Sequence, residues 1–420
     1  MLERARYNPV LIQSQGDPMK NHEMMPAEGS FWLKTCPATD FPTLEGGLEV
    51  DVVVLGGGFA GITTATLLKD AGLTVAVLEA DRIVKDVTVG TTAKISAAPN
   101  LIYDRLLSKF GKATAQKAAR ANTNALEKIA DIVRERKIDC NFRRLPLYIY
   151  TESDEKADKI KRECRAAKEL GLPVSYTEEV PLPFETGPAI VYNNQAQFHP
   201  RKYLLALAED LPGKGSHVFE KTRAFTVKPG AMKEVVTDHG SITASNVVVA
   251  THTPVYDPDG LCDHLSSARS FVLGLYAKGA FSDGMFIDFD PLHTYRTTPT
   301  DKGTMIIVAG EHGPAEVPDK SVFYRRLENY ARLHLDVESI EHRWSSTDVV
   351  SDDGLPIVGS TSQKGVYVAT GFGFWGMNNG TIAATVITDL ITSKQNQFVE
   401  LFDPLRFRLH KKNCQALNRR

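Results

Sequence analysis

Long apolar runs are missing from this chain: no uninterrupted hydrophobic stretch approaches the ~18 residues of a helical membrane span, so no integral membrane segment is expected. The N-terminus, MLERARYNPVLIQSQGDPMKNHEMMPAEGS, lacks the apolar centre of an export signal, and a cytoplasmic address is the default. A charge excess of either sign is missing too. Lys and Arg number 49 against 51 Asp and Glu, which argues against nucleic acid or an anionic membrane as a partner. Cysteine is scarce, and the five residues Cys36, Cys140, Cys164, Cys262 and Cys414 are odd in number and widely scattered, so reduced thiols are expected in place of a disulfide framework. Cys262-Asp263-His264 has the spacing of half an iron–sulfur ligand set, but the matching C-x-x-H is absent. No metal site closes on that ligand count.

What the chain has is a soluble composition, 42% apolar and 24% charged, ample for a sizeable core, and two glycine-rich signatures far apart. The first follows an apolar, β-branched run, Val50 to Leu55, that reads as a buried parallel strand. Gly56-x-Gly58-x-x-Gly61 comes next and opens a helix, with Phe59 and Ala60 inside the motif. Gly56 permits the tight turn, Gly58 lets the backbone approach a pyrophosphate, and Gly61 allows the helix to pack on the strand. Phosphates are expected at the positive end of that helix. It runs to about Asp70, stops at Gly72, and a second strand, Leu73 to Leu78, delivers Glu79 and Ala80. A carboxylate at that place hydrogen-bonds adenosine ribose hydroxyls.

The second signature, DGLPIVG followed by YVATGFGFWGMNNGTIAA, lies some 300 residues later, with no second nucleotide fold between them. One long cofactor held from both ends of the chain, as FAD requires, accounts for the pair. Between them, Lys112 to Arg136 reads as a helix with a core stripe of Ala118, Ala119, Leu126, Ile129 and Val133. Leu145 to Thr151 reads as a strand, Ser153 as the cap of a charged helix ending at Gly171, Leu172 to Pro188 as strand and loop, and Ile242 to Thr251 as a buried strand.

In these motifs, GGGFAGITTATLLKDAG with Glu79, VVVAT at Val247 to Thr251, DGLPIVG at Asp353 to Gly359 and ATGFGFWGMNNGTIAA at Ala369 to Ala384, the chain resembles the D-amino-acid oxidase superfamily of FAD-dependent amine and amino-acid oxidoreductases (glycine and sarcosine oxidase-like) over about residues 30 to 407. GTTAKIS, QFHPRKYLLALA, VVVATHTPVYD and WSSTDVVSDDGLPIVG resemble the branch whose members often carry a C-terminal Rieske domain. No such domain follows here, and the expectation is that any iron–sulfur relay is a separate protein.

The resemblance implies an α/β fold: a Rossmann-like FAD-binding domain (residues 45–140, 196–270 and 346–408) interleaved with a mixed-sheet α+β substrate domain (141–195 and 271–345). A partly disordered leader (1–44) and a basic tail (409–420) flank them. FAD is expected to be non-covalent, bound by the glycine motif and Glu79, by Thr91, Thr92 and Lys94 along the ribityl chain, by Ala250 and Thr251, and by Gly373, Phe374, Trp375, Gly376, Met377 and Asn378 where the last loop enters the final helix. That helix N-terminus, near Asn379, would face the flavin N1 and C2 carbonyl.

Lys94 is the expected cation at the flavin edge and Trp375 a wall of the substrate cavity, with core packing the competing reading for Trp375. Glycine oxidase-like members carry a carboxylate-binding arginine where the spacing from Trp344 to Asp353-Gly354 puts Asp348. An acid there would favour a cationic, carboxylate-poor amine, unless Asp348 only caps a turn. Arg296 or Arg343 would be the clamp of an alternative enzyme acting on a hydroxy acid or a secondary amino acid. Tyr295 is expected to face substrate, whereas His252, Glu311 and His312 are set aside as structural. The implied reaction is hydride transfer from an amine or amino acid to flavin N5, followed by imine hydrolysis. Dioxygen, or a separate electron acceptor of Rieske or ferredoxin-like type, would take up the electrons. A non-catalytic flavin subunit of a larger redox complex is the third reading.

Overall fold

The computed structural model describes residues 29–407. The expected leader lies mostly, and the basic tail wholly, outside these residues; the described part of the leader includes a short helix, Phe31–Lys34, capped by the Ser30 hydroxyl. Phe31 and Trp32 are buried in the main core.

One sheet grows from the apolar strand Gly46–Leu55. Val52, Val53 and Val54 are fully buried, as expected of a strand covered on both faces. It pairs in parallel with Val75–Leu78 on one side and Gly240–Val249 on the other. His217–Phe219 extends the first side, Val366–Thr370 and then the antiparallel Ile357–Ser360 extend the second, and the hairpin Ala224–Lys228/Lys233–Thr237 joins Gly240–Val249. The helices Phe59–Asp70 and Gly376–Ile391, from the two glycine signatures, pack against each other. Gly380 makes this contact possible, since a Cβ there would stand 2.8 Å from a Phe59 ring carbon.

The second sheet has the order Val337–Ser351, Leu265–Ala277, Gly303–Pro314, His293–Thr300, Met285–Asp288, Arg143–Tyr150, Ala189–Gln197, Lys94–Ile95, with Val174–Thr177 beside Ala189–Gln197. It is mixed: Met285–Asp288 runs parallel to Arg143–Tyr150, and the other pairs are antiparallel. The divisions expected at 270 and 346 fall inside two of its long strands, and Lys94–Ile95 belongs to it although its chain neighbours serve the first sheet. The two sheets thus exchange strands where the stretch Gly90–Lys94 runs.

Two helix boundaries differ from expectation. The long helix begins at Tyr103, not Lys112, because the chain passes through a kink at Gly111 (φ 76°) and stays helical upstream. Its start is fixed by a distant carboxylate: Glu163 accepts from the backbone N–H of Ile102 (2.9 Å), Tyr103 (2.8 Å) and Asp104 (2.9 Å). Ser153 does not cap the charged helix; a 3₁₀ turn, Asp154–Lys156, precedes Ala157–Glu169, and Lys156 occupies the N-cap without a side-chain bond.

Candidate active site

A cavity of about 710 Å³ runs along the junction of the two sheets, a size ordinary for cofactor clefts of ~300–1,000 Å³. At one end is the glycine turn. Gly56 has φ 106°, and a Cβ there would stand 2.5 Å from the Ala250 carbonyl oxygen; at Gly61 it would stand 1.9 Å from the Gly56 carbonyl oxygen. Gly61 does not line the cavity, so its role is strand–helix packing. Gly58 is different: it lines the cavity, and Thr88 Oγ1 at 3.4 Å is the single neighbour a Cβ would meet. A side chain at Gly58 would occupy cavity space, and here a phosphate would meet the helix N-terminus. Glu79 Oε2 accepts from Gly57 N (2.8 Å) and Oε1 from Asp81 N (3.0 Å), fixing the carboxylate beside the turn.

The stretch Gly90–Thr92 forms the middle wall and is braced from behind through its carbonyls. Trp344 donates to Gly90 O (3.1 Å), Trp32 to Thr91 O (2.8 Å), and Arg296 to Thr92 O (3.0 Å) and Ala93 O (2.9 Å). Gly90 leaves room for Ser346, whose Cβ lies 2.4 Å from where a Cβ would stand. Arg296 is therefore no carboxylate clamp. It is 2% exposed, stacks over Trp32, has a pKa lowered to about 9 chiefly by burial, and does not line the cavity. Arg343 does not line it either and pairs with Glu328 at 3.3 Å.

At the other end the loop Gly371–Trp375 enters the helix Gly376–Ile391. Gly373, Phe374, Trp375, Gly376 and Met377 all line the cavity. Asn378 does not: its Oδ1 accepts from Ser96 N (3.0 Å) and its Nδ2 donates to Asn122 O (3.0 Å), tying the helix to neighbouring elements. The next residue, Asn379, faces the cavity instead.

Asp348 does line the cavity, but its oxygens are engaged by the backbone. Its Oδ1 accepts from Val349 N and its Oδ2 from Phe374 N, both at 2.8 Å, and burial raises its pKa. A carboxyl with both oxygens committed to backbone N–H groups holds the loop together and is poorly placed to attract an ammonium. Tyr295 is turned away from the cavity. Along His293–Thr300 side chains alternate, so Thr294 faces the cavity and Tyr295 joins the cluster with Phe184, Phe281 and Tyr330 on the opposite face.

Lys94 does reach the cavity. It is 6% exposed, and its Nζ lies 2.8 Å from Thr294 Oγ1 and 3.1 Å from Thr92 Oγ1. Burial, reinforced by the Arg296 charge, pushes its pKa well below the ordinary lysine value. His312, set aside on sequence, lines the same wall: Nδ1 is 3.0 Å from Ser270 Oγ, the ring meets Phe374 edge-on, and burial lowers its pKa to about 4. His312 is therefore neutral at pH 7, and the charged form of Lys94 is disfavoured by its burial. Among the described residues no group of His, Cys, Asp and Glu could hold a metal ion, and Cys36, Cys140, Cys164 and Cys262 are free thiols. Burial raises the Cys262 pKa to about 11.

Comparison with known proteins agrees with this geometry. The family model DAO, FAD dependent oxidoreductase, matches residues 51–390. A protein of Bacillus subtilis (strain 168) named "Putative Rieske 2Fe-2S iron-sulfur protein YhfW" is 35% identical over 395 residues, covering 93% of this chain and 78% of that protein. Gamma-glutamylputrescine oxidoreductase of Escherichia coli (strain K12) is 23% identical, covering 85% of this chain and 87% of the relative. Glycine oxidase from Geobacillus kaustophilus has the same fold, with a TM-score of 0.71 at 17% identity over 86% of this chain and 99% of that one.

Proposed function

The chain belongs to the DAO family of FAD-dependent oxidoreductases, and from that premise we propose that it oxidises a C–N bond of an amine or amino acid in the cavity between its two sheets. The observation that carries the reading is the continuity of that cavity. A single space joins the phosphate turn at Gly56–Gly58 and Glu79 to a wall made of Lys94, Thr294, His312 and Trp375.

The residues present fit FAD. Gly58 is open toward the cavity, the Glu79 carboxylate is fixed beside the turn, and the helix Gly376–Ile391 directs its N-terminus at the far end. When bound, FAD supplies the acceptor for the hydride leaving the substrate's α-carbon.

The protein's share is orientation and protonation state. A neutral His312, and a Lys94 whose charged form burial disfavours, bring no negative charge to this wall, which favours the free amine over its ammonium form. The free amine is the form that can lose hydride, so no strong general base is required. His312, anchored through Ser270, presents a hydrogen-bonding imidazole to it, and Phe374 and Trp375 provide apolar area that displaces water.

Reoxidation by dioxygen or by a separate iron–sulfur carrier completes the proposed cycle, and the likeness to the Bacillus subtilis protein supports the second acceptor. No helix among the described residues is long and apolar enough to cross a membrane. Anaerobic mixing of the flavin-loaded protein with matched amines and amino acids tests the reading: bleaching of the flavin's visible absorbance is expected. No bleaching by any of them, with FAD bound, would overturn it.

A further inference from the structure

Five successive carbonyls, those of Val89 to Ala93, each accept a hydrogen bond from the side chain of a residue distant in sequence. Trp344 serves Gly90, and Arg296 serves Thr92 and Ala93, from two strands of the second sheet. The other two donors come from the N-terminal segment: Ser30 Oγ donates to Val89 O, and Trp32 Nε1 donates to Thr91 O at 2.8 Å. On its other side the same stretch lines the cavity, at Gly90, Thr91, Thr92 and Lys94. Ala93 holds φ 58°, which a residue with a Cβ keeps only where its surroundings fix it.

Trp32 is the centre of this brace. It is fully buried, with the Arg296 guanidinium 5.2 Å from its ring centroid and the His199 ring edge-on at 4.9 Å. That guanidinium donates to the carbonyls of Thr92, Ala93 and Phe198, so Trp32 touches the wall twice, through its own N–H and through Arg296. The N-terminal segment is itself fastened at two places. Gly29 N donates to Arg343 O at 3.0 Å, and Arg201, on the helix Pro200–Glu209, donates to Pro37 O at 2.9 Å. Residues that precede the nucleotide-binding strand thus reach the back of the cavity wall.

We propose that Trp32, assisted by Ser30, is a positioning residue for the cofactor: it sets where Gly90–Lys94 stands and so how tightly FAD is held. This rests on FAD occupying the cavity, as proposed above. Without the indole N–H the Thr91 carbonyl loses its partner, and the stretch regains one only by shifting toward another donor or toward water. The shift changes the shape of the cavity as well as the stability of the fold.

The test compares two substitutions on one helix. Trp32→Phe keeps a ring against Arg296 and removes the donor, whereas Phe31→Leu trims buried area beside it and removes no hydrogen bond. Both should melt below wild type. FAD titration followed by flavin fluorescence quenching, below the melting transition of every variant, is expected to show about 5- to 50-fold weaker binding by Trp32→Phe and binding within twofold of wild type by Phe31→Leu. Ser30→Ala should weaken binding in the same direction. Coupling between two sites is reciprocal, so FAD added to the wild type should slow backbone amide exchange over Gly29–Leu33. Binding by Trp32→Phe within twofold of wild type, an equal loss in Phe31→Leu, or amide exchange that FAD leaves unchanged would overturn the proposal and leave the cavity as the FAD site. A folded wild-type protein that takes up no FAD would instead remove the reading on which the proposal rests.

Discussion

Asp348 and Phe374 are joined by a 2.8 Å hydrogen bond from the Phe374 backbone N–H to Asp348 Oδ2, across 26 residues of sequence. Phe374 sits at φ 68°, a region a bulky residue enters only when held there. The bond ties the second sheet to the loop Gly371–Trp375 that lines the cavity.

Replacing Asp348 with Asn puts an amide N–H against one of two backbone donors and leaves that donor unsatisfied. Weaker FAD binding is expected, by about 1–3 kcal/mol, or roughly 5- to 150-fold in Kd. Flavin fluorescence quenching measures it. An unchanged Kd together with altered selectivity between amines and amino acids would restore Asp348 as a substrate ligand.

Gly58 and Gly61 separate cofactor binding from folding. Gly61→Ala places a methyl 1.9 Å from the Gly56 carbonyl oxygen and should lower the melting temperature with or without FAD. Gly58→Ala has room for its methyl but fills space beside the phosphate site, so the protein should fold normally and bind FAD weakly. Thermal melts paired with FAD titration distinguish them; equal effects of both variants on both readouts would contradict the assignment.

Much of the nucleotide end was legible in the sequence because each step there is local: an apolar strand, three glycines, a helix, a second strand and Glu79. The substrate end was less so. One residue along a helix turns a side chain by about 100°, which decides that Asn379 and not Asn378 faces the cavity. One residue along a strand turns it to the other face, which puts Thr294 and not Tyr295 beside Lys94. The first turn of the long helix at Tyr103 was hidden because Gly111 resembles a helix start, and that upstream turn depends on Glu163, some 60 residues away. The commitment of both Asp348 oxygens to backbone N–H groups leaves no trace in spacing.

Lys94 carries a prediction whose sign follows from its lowered pKa. Folding penalises the charged form, so the stability associated with this residue is full above its unfolded pKa of about 10.4 and is lost as pH falls through the lower folded value. Lys94→Met should therefore melt higher than wild type at pH 7, with the gap closing toward pH 10. It should also slow flavin reoxidation in stopped-flow mixing with oxygenated buffer. A variant that melts lower than wild type at pH 7 would mean that the bonds to Thr92 and Thr294 outweigh desolvation.

The far face of the second sheet supplies a pH-dependent test independent of the cofactor. Asp288 is fully buried beside Tyr150 and His293, its cross-strand neighbours, and its Oδ2 has no partner among the described residues. Burial raises its pKa to about 7; the Asp290 backbone N–H and Lys156 oppose the rise, and the charges of Glu152 and Asp290 add to it. An acid raised in the folded state contributes stability that is complete below about pH 4 and is gone once pH has risen through 7. The loss is at most about 4 kcal/mol on the linkage of 1.36 kcal/mol per unit. Asp288→Asn removes the ionisation while keeping the shape, so it should be more stable than wild type at pH 8 and lose that advantage by pH 4. Urea denaturation across this range measures it. Parallel pH profiles for the two proteins would show that Asp288 ionises in the folded state as easily as in the unfolded chain.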